Sequence, residues 1–486
     1  MGSSVERPDD PLDDHLDDHF DTVFRAGRVI TPDGERGACV AVRDGRIVTL
    51  LPVDAPCEAD QTIDLAPDEV LLPGLVDTHV HVNEPGRADW EGFDTATRAA
   101  AAGGITTILD MPLHCLPPTI DTDALAIKRA AARGRIHVDV GFWGGAVPDN
   151  LDRIPELHEA GVFGFKCFLP PSGVPEFGCL DYDRLAEVMK VVADLGALLA
   201  VHAEDPDALD QAPAPHGRRY CDFLASRPPW AENTAINRVL GLARRFDARV
   251  HISHLSSAEL PHIVRYFVDR GVRASVETCP HYLTFCAEEI PDGATEFKCR
   301  PPIRDAENRE RLWRALVDGV IGSVASAHSP CTADLKRYES GDFAVARDGI
   351  SGIELSLPAV WTGARRRGIE LSTVVRWMAG RPADLVGLRQ KGRIAPGADA
   401  DFCVFAPDAA FVVDVARLHH RNPISPYHDR PLAGVVRGTW LRGIRVTGDR
   451  AHGELLTRAG ADAGKGGDAR KVEQEITPAS TREATP

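Results

Sequence analysis

Eight apolar, β-rich runs recur between Val70 and Ser326, each followed by a stretch of helical period, and few architectures accept that alternation. The first ends in His79-Val80-His81; the others cover residues 105–110, 138–142, 162–166, 198–202, 250–254, 274–278 and 323–326. Stretches such as 182–195 and 308–317 supply crossover helices. Strands joined in this way lie parallel, because each helix returns the chain to the same end of the sheet. Eight such units predict a closed (β/α)8 TIM-type barrel, an α/β fold whose chemistry sits at the strand C-termini.

Outside that repeat the pattern changes. Residues 22–51 read as short strands with turns at Pro32-Asp33-Gly34 and Asp44-Gly45, and strand-like text returns at Ala400 to Phe405 and Gly434 to Trp440. The expected organisation is a barrel of residues 70–392 inserted in a small β-sandwich domain built from 22–69 plus 393–456. Residues 1–21 carry six aspartates against one arginine before Asp21 and predict a disordered acidic tail; 457–486, rich in Gly, Ala and charge, predict a second one.

Composition narrows the partners. A net charge of −17 opposes a phosphate backbone, which needs a basic face, so no nucleic acid partner is expected. No apolar run has the length of a membrane span, and no secretion signal opens the chain, so the expectation is a cytoplasmic protein with no membrane contact. The 11 cysteines are odd in number and contain no CxxC pair, which suggests reduced thiols; Cys115 and Cys167 read as packing residues. A homo-oligomer is the expected assembly.

The strand ends carry the candidate chemistry. Alternation places His79 and His81 on one face, where they can grip one metal ion, although a buried strand with two satisfied histidines has the same spelling. Lys166, His202 and His254 each end an apolar segment of their own, where a barrel gathers inward-facing ligands. Lys166 has two readings. It is either a barrel lysine paired with an acid or, once N-carboxylated, a carboxylate that bridges two metals. Two metals close together can share a water, lower its pKa and polarise a carbonyl.

Several further motifs resemble one family. They are Glu84-Pro85-Gly86-Arg87, Trp90-Glu91-Gly92-Phe93, Asp110-Met111-Pro112-Leu113, Gly164-Phe165-Lys166-Cys167-Phe168-Leu169, Glu277-Thr278-Cys279-Pro280-His281-Tyr282, and Phe297-Lys298-Cys299 followed by Pro301-Pro302-Ile303-Arg304. Together they resemble the amidohydrolase superfamily, and within its cyclic amidases most closely the allantoinases, from about Thr22 to about Leu456. The resemblance implies hydrolytic opening of a small cyclic ureide, allantoin to allantoate, with two divalent metal ions as cofactors. Zinc leads because imidazoles suit it.

Carried over residue by residue, His79 and His81 would hold the more buried metal, Lys166 would bridge as its N-carboxylated form, and His202 and His254 would hold the second. Lys166 and His254 are the catalytic candidates. Asn83, His114, Cys299 and Ser329 are the substrate-binding ones. Asn83 stands where dihydroorotases have an arginine, and it cannot supply that charge.

Departures from the family pattern fall at the site. Ala327 precedes His328-Ser329-Pro330-Cys331 where the family has an aspartate, a metal ligand that also carries the water's proton; a methyl group does neither. His114 replaces an asparagine, and Arg347-Asp348 replaces Trp-Gly. Three readings stay open: a single-codon change in a competent enzyme with reduced activity, divergence to another cyclic amide as in hydantoinases and dihydropyrimidinases, or a catalytically silent member that acts as the partner of another protein.

Overall fold

The computed structural model describes residues 19–458. All eight expected barrel strands form: Leu75–Val80, Ile105–Asp110, Asp139–Phe142, Phe165–Phe168, Leu198–His202, Arg249–Ile252, Ala274–Thr278 and Ser323–Val324. Neighbours pair in parallel in chain order. Between the third and fourth strands the ladder passes through Phe163 N–H to Phe142 O (3.0 Å) and Gly144 N–H to Gly164 O (2.9 Å). The ring closes where His81 N–H donates to His328 O at 2.8 Å beside the Val80–His328 bridge.

The crossover helices show why the sequence chose them. Tyr182–Asp194 buries Leu185, Val188, Met189 and Val192, a 3.6-period stripe, and Asp181 caps it by accepting from Arg184 N–H at 2.7 Å. Ala306–Val317 is capped in the same way by Asp305 and buries Leu312, Trp313, Ala315 and Leu316.

The second unit is a sheet centred on His19–Thr31, which pairs with Gly34–Arg43 and Glu58–Asp64. Val70–Pro73 joins it to Phe402–Val412 and Pro431–Leu441, so strands more than three hundred residues apart share one sheet. Successive residues of its strands serve different clusters, Phe24 and Val40 in one and Val23 and Cys39 in the other, as strand alternation requires. The fold is therefore the expected barrel inserted in a small β-sandwich. Residues 19–21 lie in the first strand; the rest of the expected acidic tail, and the expected tail beyond 458, lie outside the described residues. No described helix is long and apolar enough to cross a membrane, and all eleven cysteines are free.

A buried ion network joins the two units at the barrel end opposite the strand C-termini. Lys391 Nζ lies 2.6, 2.9 and 2.8 Å from carboxylate oxygens of Asp139, Asp399 and Asp401, and Arg442 Nη1 lies 2.7 Å from Asp139. Burial lowers the lysine's proton affinity, but the three acids outweigh it and hold Lys391 well above the ordinary lysine range. Lys391→Met removes the charge and keeps the stem, leaving three carboxylates crowded in low dielectric. It is expected to cost about 3–5 kcal/mol, read as a lower urea midpoint, and an unchanged midpoint would show that the network contributes nothing.

Candidate metal centre

The strand ends deliver one cavity. His79, His81, His114, His202, His254, Cys299, Ala327 and Ser329 all line it, bringing most of the expected site residues together. Two stand apart from that wall. Lys166 is fully buried and donates to Ser253 Oγ at 2.7 Å, while Asn83 turns its amide to Pro330 O at 3.4 Å. Ring centroids lie 5.6 Å apart for His79 and His81, 5.3 Å for His79 and His254, and 4.5 Å for His202 and His254.

The backbone at these positions is special. Asn83, His114, His254 and Ala327 have φ of 66°, 67°, 40° and 47°. Non-glycine residues seldom adopt this left-handed region, and such conformations cluster where a site demands them. Ala327 has no side-chain reason to be there, since aspartate and asparagine are the residues enriched in that region.

Acids behind the imidazoles fix which nitrogen faces inward. Glu277 Oε1 lies 2.5 Å from His79 Nδ1, and Glu277 Oε2 lies 3.0 Å from His251 Nε2, so the free nitrogen of His79 is Nε2. Glu204 Oε2 sits 2.7 Å from His202 Nε2 and is itself clamped by Arg227 at 2.9 and 2.6 Å, which leaves His202 Nδ1. Asp77 accepts from His79 N–H and Ser326 N–H, both at 3.1 Å, and ties the first strand to the eighth. None of these three acids was among the candidate site residues, although Glu277 opens one of the family motifs. The available signal was position: Asp77 stands two residues before His79 on the same strand, and Glu204 two residues past His202.

Charge follows from burial. Burial pulls His81 and His254 well below the ordinary histidine value, lowers His79 despite Glu277, and brings His202 to about 4. All four are neutral near pH 7, the form that binds metal. Burial would raise Glu277, but His79 and His251 beside it win and keep it ionised. Burial also lowers Lys166 to about 8, and among the described residues no carboxylate lies within ion-pair distance of it.

The donor set fits two metals with gaps. His81 Nδ1 and His254 Nδ1 are buried without a hydrogen-bond partner, as ligating or poised imidazoles would be. Among the described residues, no three His, Cys, Asp or Glu side chains converge on one point. A metal held here needs ligands beyond the imidazoles.

The cavity is narrow, at about 60 Å³. One wall is the Arg300–Asp348 pair, with Nε and Nη2 each 2.9 Å from Asp348 Oδ2. Burial would raise Asp348, yet Arg300, Arg347 and Lys298 hold it far below the carboxylate range. His114 stacks 4.6 Å from His81, its Nε2 buried and unpartnered. Cys167 is pushed up to about 12 by burial and Cys115 is raised by the same cause, so both are inert packing thiols.

Comparison with known proteins adds an independent finding. The profile of the amidohydrolase family matches residues 70–446. An allantoinase of Streptomyces avermitilis is 58% identical over 440 residues, covering 90% of this chain and 98% of that protein. An allantoinase of Arabidopsis thaliana is 42% identical over 444 residues, covering 87% and 88%. Among solved structures, an L-hydantoinase (dihydropyrimidinase) from Arthrobacter aurescens superposes with a TM-score of 0.85 at 31% identity, over 90% of this chain and all of that one.

Proposed function

The chain belongs to the amidohydrolase family, and on that footing we propose that it is a cyclic amidase of the allantoinase type, hydrolysing one amide C–N bond of a cyclic ureide. The observation that carries this reading is the convergence of His79, His81, His202 and His254 on one cavity at the barrel's strand ends, with Lys166 behind them. His79 and His81 would hold one divalent ion and His202 and His254 the other, with Lys166 contributing as its carbamate. Carboxylation adds CO2 to the amine with loss of one proton. A lysine buried with only a hydroxyl for a partner favours that change, because an unpaired ammonium there is costly. Zinc is the metal that imidazole-rich sets suit best. Two bound ions supply an acidified water and a polarised carbonyl.

The chain's own groups do the rest. Glu277 and Glu204 fix the tautomers of His79 and His202, which keeps the inward nitrogens unprotonated. Ala327 offers no oxygen to accept the water's proton or return it to the leaving nitrogen. Asp348 does not replace it, since its cationic neighbours leave it with little affinity for a proton. Turnover of allantoin is therefore slow in this chain. The likeness to an L-hydantoinase favours hydantoins and dihydropyrimidines as the second substrate class.

Two measurements test the reading. After dialysis, elemental analysis is expected to find between about one and two divalent ions per chain, since four imidazoles and Lys166 supply donors but Ala327 offers no carboxylate. Protein with no metal, unaffected by zinc and bicarbonate, would count against the site. Slow ring opening of allantoin by loaded protein, lost on chelation, is the expected activity; turnover that survives chelation would contradict it.

A further inference from the structure

Two sulfurs meet in the small β-sandwich. Among the described residues, which include all eleven cysteines, Cys39 and Cys57 are the one pair in hydrogen-bond contact, with their Sγ atoms 3.7 Å apart. Neither lines the strand-end cavity. Cys39 is fully buried within the strand Gly34–Arg43, where it pairs with Arg25 on one side and Leu51 on the other. Cys57 is half-buried and ends the irregular stretch 52–57, just before the strand Glu58–Asp64. A thiol fixed in a strand therefore faces one on a segment outside any strand. The second can make the approach that an S–S bond of about 2.05 Å requires.

Arg25 organises the contact. It stands directly opposite Cys39 in the antiparallel pair, so both side chains leave the same sheet face. Its Nη1 donates to Val53 O at 2.9 Å, which pins the loop, and its Nη2 donates to Cys57 Sγ at 3.2 Å. A guanidinium N–H on a sulfur favours the thiolate, the nucleophilic form. Cys39 differs: burial, then the Cys57 sulfur, pushes it up to about 12 and keeps it a thiol. The pair is asymmetric, an approachable sulfur beside a cation with a buried thiol behind it.

We propose that Cys39 and Cys57 form a peroxide-sensitive modification site, closing to an intramolecular disulfide that fastens the 52–57 segment to the sheet. The Cys57 thiolate attacks one oxygen of hydrogen peroxide, the O–O bond breaks, and the departing hydroxide takes up the thiol's proton as water. Cys57 is then a neutral sulfenic acid, so its charge no longer holds the proton on Cys39. Cys39 Sγ attacks Cys57 Sγ, the S–O bond breaks, and the hydroxide leaves with the Cys39 proton as a second water. Two thiols and one peroxide give one disulfide and two waters, with two electrons passing from sulfur to oxygen. A dithiol reductant reverses the change. The site is independent of the hydrolytic reading.

Peptide mapping of the full-length, zinc-loaded protein after graded hydrogen peroxide tests this. Trypsin is expected to release residues 37–43 linked to 47–87, two hydrogens lighter than the two free peptides together, and dithiothreitol is expected to separate them. In Cys39→Ser the link is absent and dimedone captures Cys57 as its sulfenic acid. In Cys57→Ser the link is again absent, and dimedone labelling of Cys39 is at least about 10-fold lower than that of Cys57 in the first variant, because the buried thiol lacks thiolate character. Exposed Cys221, with no sulfur in contact, forms no intramolecular link and serves as the control. Cys39 and Cys57 that both stay open to alkylation after peroxide, a link between other cysteines in place of this one, or equal labelling in the two variants overturns the proposal. The parent's map decides the link without any substitution, whatever the folding of the variants.

Discussion

Ala327→Asp is expected to raise allantoin hydrolysis at least about 10²-fold, the low end of what a positioned proton carrier contributes. The backbone is already shaped for the change. Ala327 sits at φ 47°, where an L-residue with a bare Cβ bears roughly 1–2 kcal/mol and where aspartate is one of the few tolerated types. Asp77 holds the adjoining Ser326 N–H, and His328 pairs with the first strand, so the strand end is fixed before the new carboxylate arrives. Ala327 lines the cavity together with the four imidazoles, so the change adds its carboxylate at that wall. It supplies a metal ligand and a proton acceptor at once, and metal content should rise toward two ions per chain alongside rate.

The assay compares parent and variant on allantoin, hydantoin, dihydrouracil and dihydroorotate. His114 and Arg347 reshape the walls, so the gain need not fall on allantoin first. A variant that takes up its metals fully and opens none of these rings would end the allantoinase-type assignment and leave silent binding as the better reading.

The barrel was legible because its signal is redundant: β-rich, mostly buried runs alternate with helical stretches that carry an apolar stripe, so one misread element would not change the count. The histidines were legible for a related reason, since His79, His81, His202 and His254 all stand within two residues of a strand's C-terminal end, where the fold needs no polar group; Lys166, expected to end its strand, is instead the second residue of Phe165–Phe168. What supports them was not. Glu277 at the end of the seventh strand is spelled the same whether it faces His79, 198 residues earlier, or solvent; only closure of the ring decides. Asn83 and Arg300 illustrate the same limit from the substrate side. The first turns away to Pro330 through a left-handed backbone, and the second reaches Asp348 across 48 residues of chain. Turn chemistry announced the outer strands, but pairing of Val70–Pro73 with Phe402–Val412 is a long-range choice that no local period encodes.

Lys166→Ala is expected to weaken metal binding at least about 100-fold, because even outer partners of metal ligands are worth 10–100-fold and a bridge serves two ions. The rival reading, an ordinary barrel lysine paired with an acid, finds no direct ion pair among the described residues: the ammonium's hydrogen-bond partner is Ser253 Oγ at 2.7 Å, and Glu277 acts on it only through the field. The two readings separate on metal stoichiometry, measured by elemental analysis with thermal stability followed in parallel. A bridging carbamate makes the variant lose both ions, and a short carboxylic acid added with zinc restores part of the binding by occupying the vacated space. A packing lysine makes the variant keep its ions and lose only stability, since Ala leaves a hole where a fully buried stem had been. Dialysis of the parent protein against CO2-depleted buffer gives the same test without mutation. If Lys166 acts as the carbamate, metal uptake then depends on added bicarbonate; if uptake is unchanged without bicarbonate, the bridge is refuted even though the four imidazoles still bind.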